Sequence, residues 1–506
     1  MGSRVPGEKK TGAAYWGLAA VPLIFLGIFF FYPLIRIFIL SFGSVGEEEV
    51  WPLVQRLSAG AYVGIGWFTF WQAALSTGLT LVLGLPGAWV FARYTFPAKR
   101  LMWVLIAIPF VLPTVVVASA FRALLGPAGV LNEFLMILFG LPVPPIRLEG
   151  TLWYFLLAHV FYNYALVVRI VGGFWANLDE RLVEAAQMLG ASKWESFRKI
   201  TFPLLLPAVG SASLLTFIFC FTSFGIMLIL GGPGYATLEV EIYRQAVQLF
   251  NLPAAAVLSL FQLVFCGLLM WLQVTIGQRT TLAFIPQAGV KGEKIPRTPL
   301  EKGMVWTILF FMMILLATPP AGLVIRSLIS GSRFSFVYYQ SLFDSSSASI
   351  FYVPPILAVM NSLGFAAMAM ALAVLVGAMA ARYVTASDEK GHGVFDTLVM
   401  TPLAVSAVTL GFGFIVSFNQ APLNLRDSIL LVPLAHGLVA FPFVVRTMIP
   451  SLRRIPERLK EAAAVLGATP FTIWRKIELP LSSRAVTAGA VFAFSVSLGE
   501  FGATAF

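Results

Sequence analysis

The sequence predicts an all-α polytopic membrane protein, a tandem repeat of two six-helix units in which the second lacks its last helix. Three observations predict it: the composition, the number of apolar runs, and a polar motif that occurs twice. Of 506 residues, 59% are hydrophobic and 11% charged, where a soluble domain carries about 25% charged residues. Too few charges exist to coat a soluble surface, so lipid must solvate much of the chain. The 43 Gly and 31 Pro do not oppose helices, since both are commoner in membrane helices than in soluble ones.

About 20 apolar residues cross a bilayer, and by that measure the chain has eleven spans. Residues 1–10 are basic and lead into the first, 14–42. That run exceeds a signal-peptide core of about 7–15 residues, so it is expected to be a retained helix. Spans at 68–92, 101–121, 151–175, 203–229 and 253–277 complete a first repeat, 1–278. Residues 279–302, polar and interrupted by Pro286 and Pro296, form a linker. The second repeat, 303–506, holds spans at 303–326, 354–381, 394–417, 428–448 and 485–506.

A cytoplasmic N-terminus places 26 of the 34 Lys and Arg on the inner side, as the positive-inside rule requires. Glu47, Glu48 and Glu49 then fall outside. These inner loops account for the net charge of +11; no basic stripe with interleaved aromatics points to nucleic acid. Cys220 and Cys266 lie in apolar runs and read as buried small hydrophobes, not as a disulfide or metal site.

Internal repetition decides the architecture. Glu180-Arg181-Leu182-Val183-Glu184-Ala185-Ala186 recurs 277 residues later as Glu457-Arg458-Leu459-Lys460-Glu461-Ala462-Ala463. The same offset pairs Ala158-His159 with Ala435-His436, Leu189-Gly190-Ala191 with Leu466-Gly467-Ala468, and Phe224-Gly225 with Phe501-Gly502. Chance does not give so many identities at one spacing. At that offset Phe506 aligns with Ile229, so the second repeat is expected to lack about fifty residues, one span.

Both copies fit Glu-Ala-Ala-x3-Gly-x9-Ile-x2-Pro. The pattern predicts a short helix, a turn at glycine, and a second short helix ending at the proline that opens the next span. Ala185, Ala186, Ala462 and Ala463 give a small-residue face that a partner groove can approach closely. Gly190 and Gly467 permit the turn without a Cβ penalty. Glu184 and Glu461 can pair with a basic residue of that partner. One copy alone would equally suit an ordinary amphipathic loop; two in register on the inner side do not.

These segments resemble the EAA coupling loop of type I ABC importer permeases, the membrane subunits of binding-protein-dependent uptake systems, and the resemblance covers essentially the whole chain. It implies two MetI-like units in the cell inner membrane. It also implies that Glu184, Ala185, Ala186, Gly190, Glu461, Ala462, Ala463 and Gly467 dock into two copies of an ABC ATPase. An extracytoplasmic solute-binding protein would deliver the substrate. The fused form is similar to thiamine and ferric-iron permeases. The segment Gly231-Gly232-Pro233-Gly234-Tyr235-Ala236-Thr237-Leu238-Glu239, with Ile242-Tyr243, resembles the thiamine group most. Ferric-iron permeases share the Ile-Tyr pattern and the overall plan. The chain contains no Gly-Lys dipeptide and hence no P-loop. No cofactor is expected on this chain, and ATP with Mg is expected on the partner.

Ionisable groups inside a membrane are costly and often functional. His159 and His436, at equivalent places in the fourth and tenth spans, are therefore candidates for the substrate path, with a hydrogen bond to a neighbouring helix as the alternative. Glu500 is an acidic residue read as lying well inside a span, and its counterpart is Ser223. With Phe224 and Phe501 it could offer charge and cation–π contacts to a cationic substrate. An ion-coupled secondary transporter is the rival reading. It predicts several buried acids and no docking motif.

Overall fold

A computed structural model of the chain describes residues 13–43, 60–232, 234–282, 294–331, 333–344, 354–386, 392–419, 424–425 and 428–505. The basic N-terminus, the acidic run at 47–49 and most of the linker, 283–293, lie outside the described residues.

Helices α1 (Ala13–Leu26) and α2 (Tyr32–Gly43) open the chain. Next come α3 (Ala61–Arg93), α4 (Lys99–Val111), α5 (Thr114–Leu125), α6 (Val130–Phe139), α7 (Leu152–Ala176) and α8 (Glu180–Met188). They are followed by α9 (Phe202–Phe221), α10 (Leu238–Tyr243), α11 (Leu252–Leu282) and α12 (Pro299–Leu328). The remainder is α13 (Pro355–Ala386), α14 (His392–Met400), α15 (Ala407–Phe418), α16 (Leu431–Arg453), α17 (Glu457–Val465) and α18 (Leu479–Gly499). Ten helices among the described residues are long and apolar enough to cross a membrane, or eleven with one bent pair.

Several expected spans have different limits, each for a local reason. The span expected at 394–417 is that bent pair, Gly393–Ala404 and Ala407–Phe418, meeting at 95°. Pro402 precedes the break, and Ser406 caps the second arm by accepting the Thr409 N–H at 3.1 Å. In place of the span expected at 101–121, the candidate span is Thr114–Phe139, because the chain breaks between α4 and α5, where Pro113 stands before the first residue of α5. The spans expected at 203–229 and 485–506 instead run Lys193–Phe221 and Pro470–Gly499.

That last shift has a physical cause. Proline does not end the preceding short helix; it widens it. Wide π turns at Gly27–Phe31, Phe197–Thr201 and Trp474–Glu478 each end two residues before a proline, Pro33, Pro203 and Pro480. A proline has no N–H to donate to the carbonyl four residues back and its ring crowds that carbonyl. The chain ahead of it slips to five-residue bonds, as from Tyr32 N–H to Gly27, Phe202 N–H to Phe197 and Leu479 N–H to Trp474.

The chain divides into two compact units that do not follow chain order: Val45–Ile350, and Met1–Ser44 together with Phe351–Phe506. In the first, α3 packs along α7. A Cβ on Gly84 would sit 2.9 Å from Val167 Cγ1, and one on Gly172 3.1 Å from the Ala88 carbonyl oxygen. In lipid, small residues of this kind let helix backbones approach. Helix α12, which opens the second repeat, also belongs to this unit. Its buried stripe of Val305, Leu309, Met312, Leu316, Pro319 and Gly322 runs at helical spacing. Gly322 faces Leu124, and Arg326 pairs with Glu133 at 2.9 Å.

In the composite unit, α13 packs along α16 by the same contact. A Cβ on Gly377 would lie 2.9 Å from Val444 Cβ. Val167 and Val444 stand 277 residues apart, whereas Gly84 and Gly377 stand 293 apart, so the second repeat is sixteen residues shorter between these helices. Helices α1 and α2 pack here. Phe25, Leu26, Phe30 and Ile37 are buried, with Phe25 edge-on to Phe441 at 6.0 Å and Phe29 beside Phe418 at 5.8 Å.

Candidate functional site

The repeated motif ends its helix in the same way in both copies. Asp179 caps α8 by accepting the Arg181 N–H at 2.9 Å. The helix stops because Gly190 takes φ +92°, a left-handed conformation that costs other residues a Cβ clash. Its N–H donates to the Gln187 carbonyl at 3.0 Å, and the Ala191 N–H donates to the Ala186 carbonyl at 3.0 Å. In the second copy Gly467 takes φ +83°, with Gly467 N–H to Ala464 at 2.9 Å and Ala468 N–H to Ala463 at 3.0 Å. This bond pair is the Schellman termination, which satisfies carbonyls that a helix end leaves open. A new turn starts at once, capped by Ser192 in a capping box with Glu195, and by Thr469 accepting the Thr472 N–H at 3.3 Å.

Neither α8 nor α17 contains a buried residue. Glu184, Ala185, Gly190, Glu461, Ala462 and Gly467 are exposed; Ala186 and Ala463 are half-buried. The apolar pair at each tip is the most exposed part, Met188 and Leu189 at 89% and 90%, Val465 and Leu466 both at 87%. A helix with apolar side chains outward and no fully buried residue is shaped for a partner. Among the described residues neither Glu184 nor Glu461 has an ion pair.

Charges that the sequence reading passed over hold each helix to its own unit. Glu180 pairs with Arg93 at the end of α3, and with Lys294 at 3.1 Å. In the second copy Lys460 lies 3.7 Å from Glu478, which pairs with Arg382 of α13 at 3.1 Å. The positions differ: Trp89, Val183 and Thr201 stand where Arg382, Lys460 and Glu478 do, and they line a 270 Å³ pocket beneath α8. Registering α3 against α13 would have revealed these pairs; that needs the sixteen-residue gap.

The residues considered for a substrate path divide between the two units, His159 and Phe224 in one and His436, Glu500 and Phe501 in the other. His159 is buried in the first unit, its Nδ1 2.9 Å from Ser76 Oγ of α3 and its Nε2 2.9 Å from Ser223 Oγ beyond α9. His436, in the composite unit, meets Ser497 of α18 at 2.8 Å through Nδ1. Both are interhelical ties. Phe224 is buried beside Tyr243, ring centroids 5.3 Å apart. Glu500 is not inside a span: α18 ends at Gly499, and Glu500 turns the chain by accepting the Ala503 N–H at 3.2 Å. Phe501 follows it, half-buried.

Besides Glu478, the structure buries two acids of α10 that the sequence reading did not single out, Glu239 and Glu241. Gln262 Nε2 donates to Glu239, and Gln245 Nε2 donates to Glu241 at 2.6 Å. A short polar segment between apolar runs was their signal. Six residues are too few to show helical periodicity, so sequence does not mark the segment as a helix.

The chain belongs to the family described as "Binding-protein-dependent transport system inner membrane component", whose model matches residues 57–282 and again 304–506. It is a fused two-repeat permease of the type I ABC importer class, in the inner membrane. The chain is 27% identical to the "Thiamine transport system permease protein ThiP" of Brucella abortus over 87% of its length and 78% of the relative's. It is 27% identical to the protein of that name from Escherichia coli, over 87% and 79% of the two chains. It is also 24% identical to the "Probable ABC transporter permease protein y4fN" of Sinorhizobium fredii, over 97% and 88%.

Proposed function

We propose that this permease moves thiamine inward, driven by a separate ABC ATPase whose subunits, with their ATP and Mg, seat on α8 and α17. The observation that carries the ATPase reading is the pair of Schellman-ended helices with exposed apolar tips and carboxylates that have no ion pair among the described residues. Glu184 and Glu461 are available to a basic residue of each ATPase subunit. Ala185, Ala186, Ala462 and Ala463 allow close approach, and Gly190 and Gly467 set the turn. On this reading the N-terminus and both motifs are cytoplasmic, the repeats are 1–278 and 303–506 about a linker at 279–302, and a solute-binding protein delivers the substrate from outside. Alternating access follows when the ATPases close and draw the two hooks with them.

Single cysteines at Ala186 and at Ala463 test the docking: each should cross-link to an ATPase subunit in the assembled complex. Capture from neither position would refute the ATPase reading. The thiamine reading rests on the relatives' names and on the 231–243 segment, and labelled uptake in vesicles tests it. Saturable uptake of thiamine supports it; uptake of ferric iron instead would assign the chain to the other group.

A further inference from the structure

The stretch that leads out of the linker does more than connect. Lys294 N–H donates to the Arg93 carbonyl at 2.8 Å, and the Thr95 N–H donates back to the Lys294 carbonyl at 3.1 Å. This makes a one-residue parallel bridge between Tyr94 and Lys294. The Lys294 ammonium then reaches Glu180 on α8, the same carboxylate that Arg93 holds. Four residues on, Thr298 caps α12 in a capping box with Glu301. Lys294 therefore ties the end of α3 to the first residue of α8, and the chain reaches the cap of α12 four residues on.

The described residues of the second copy hold its motif helix with other pairs. Arg93 aligns with Ala386, and among the described residues Glu457, the counterpart of Glu180, pairs with Lys460 of its own helix at 3.1 Å. The two hooks are thus held differently, one by an internal triad and one by the linker itself.

We propose that Lys294 is a positioning residue, a latch that makes α8, α3 and α12 move as one body when the ATPase pulls. The latch rests on the docking reading above. Without it, Arg93 alone would tie α8 to α3, and the stretch that enters α12 would lose its side-chain link to the motif helix. An ion pair that is exposed on one side contributes little to stability, but here it closes a short chain of contacts between three helices.

Lys294→Gln tests this. Stimulation of the ATPase by the loaded binding protein, taken as a ratio to basal hydrolysis, should fall about fivefold, the low end of ordinary coupling between sites. Lys294→Arg should restore the ratio, because the guanidinium can reach the same carboxylate. Lys302→Gln, which removes an exposed charge of the same sign nearby, should leave it unchanged. An unchanged ratio in Lys294→Gln overturns the proposal, as does an equal loss in Lys302→Gln.

A second measurement needs no ATPase and so separates failure of the latch from failure of the docking reading. In the chain alone, a carbodiimide should condense the Glu180 carboxylate with the Lys294 ammonium and keep the fragments joined after cleavage between them, and Lys294→Gln should abolish that link. Fragments that separate overturn the latch, whatever binds at α8.

Discussion

At the scale of single residues, two glycines and one histidine carry the sharpest expectations. Gly190 and Gly467 sit at positive φ with open space around the missing side chain, so the cost of alanine there is conformational only. Gly190→Ala should destabilise the turn by about 1–2 kcal/mol, and Gly467→Ala should do the same. Cross-linking from Ala186 or Ala463 to the ATPase should weaken in step with the variant made. His159 joins Ser76 and Ser223 across three segments. His159→Ala leaves both hydroxyls to find new partners, and an unsatisfied buried polar group costs about 1–3 kcal/mol. A lower thermal midpoint in detergent with little change in substrate KM is the expected result; a raised KM with unchanged stability would return His159 to the substrate path. His159 and His436 were legible as intramembrane ionisable groups. Their partners were not, since Ser76 lies 83 residues away in sequence.

At the scale of elements, proline placement governs how each motif meets the next helix. The wide turn ahead of Pro480 adds one residue to the local repeat. Pro480→Ala restores a donor at that position and removes the reason for the slip. The helix ahead should then rotate by about 100°, one residue's worth. The chain should still fold, yet most of the cross-linking from Ala463 should be lost while that from Ala186 stays. Helix pairing gives a second expectation. Gly377→Leu drives a side chain into Val444 Cβ, 2.9 Å from even a Cβ, and overpacking of this kind costs about 1–3 kcal/mol. The thermal midpoint should drop accordingly. The motif helix was readable from its residues because capping and glycine chemistry are local. The break at Leu112 and Pro113 was less so, because apolar runs on both sides of it read as one span.

At the scale of the whole molecule, each repeat's opening helices lie with the other repeat. Helices α1 and α2 pack on α13, α15 and α16, and α12 packs on α5, within the units Met1–Ser44 with Phe351–Phe506 and Val45–Ile350. Expressed alone, residues 45–350 should resist protease in detergent better than 1–278, which carries α1 and α2 without their partners. Equal resistance would count against the exchange. The interiors also differ. Ser76, Thr80, Asn163 and Thr216 are buried polar groups in one unit, and at the aligned positions the other has Ala369, Ala373, Ala440 and Ala493. One bundle buries polar side chains, Ser76 among them bonded to His159, where the other packs alanines, although their backbones use the same glycine contact.

The sequence by itself determined the solvent, the helical class, the doubling and the two motifs. These follow from composition, run length and spacing, all of which are properties of neighbours along the chain. Tertiary structure alone decided which helices share a unit, which charges anchor α8 and α17, and that Glu500 caps a helix end. Those outcomes depend on residues far apart in sequence meeting in space. An apolar run seen alone states that lipid or protein will cover it, without saying which protein face.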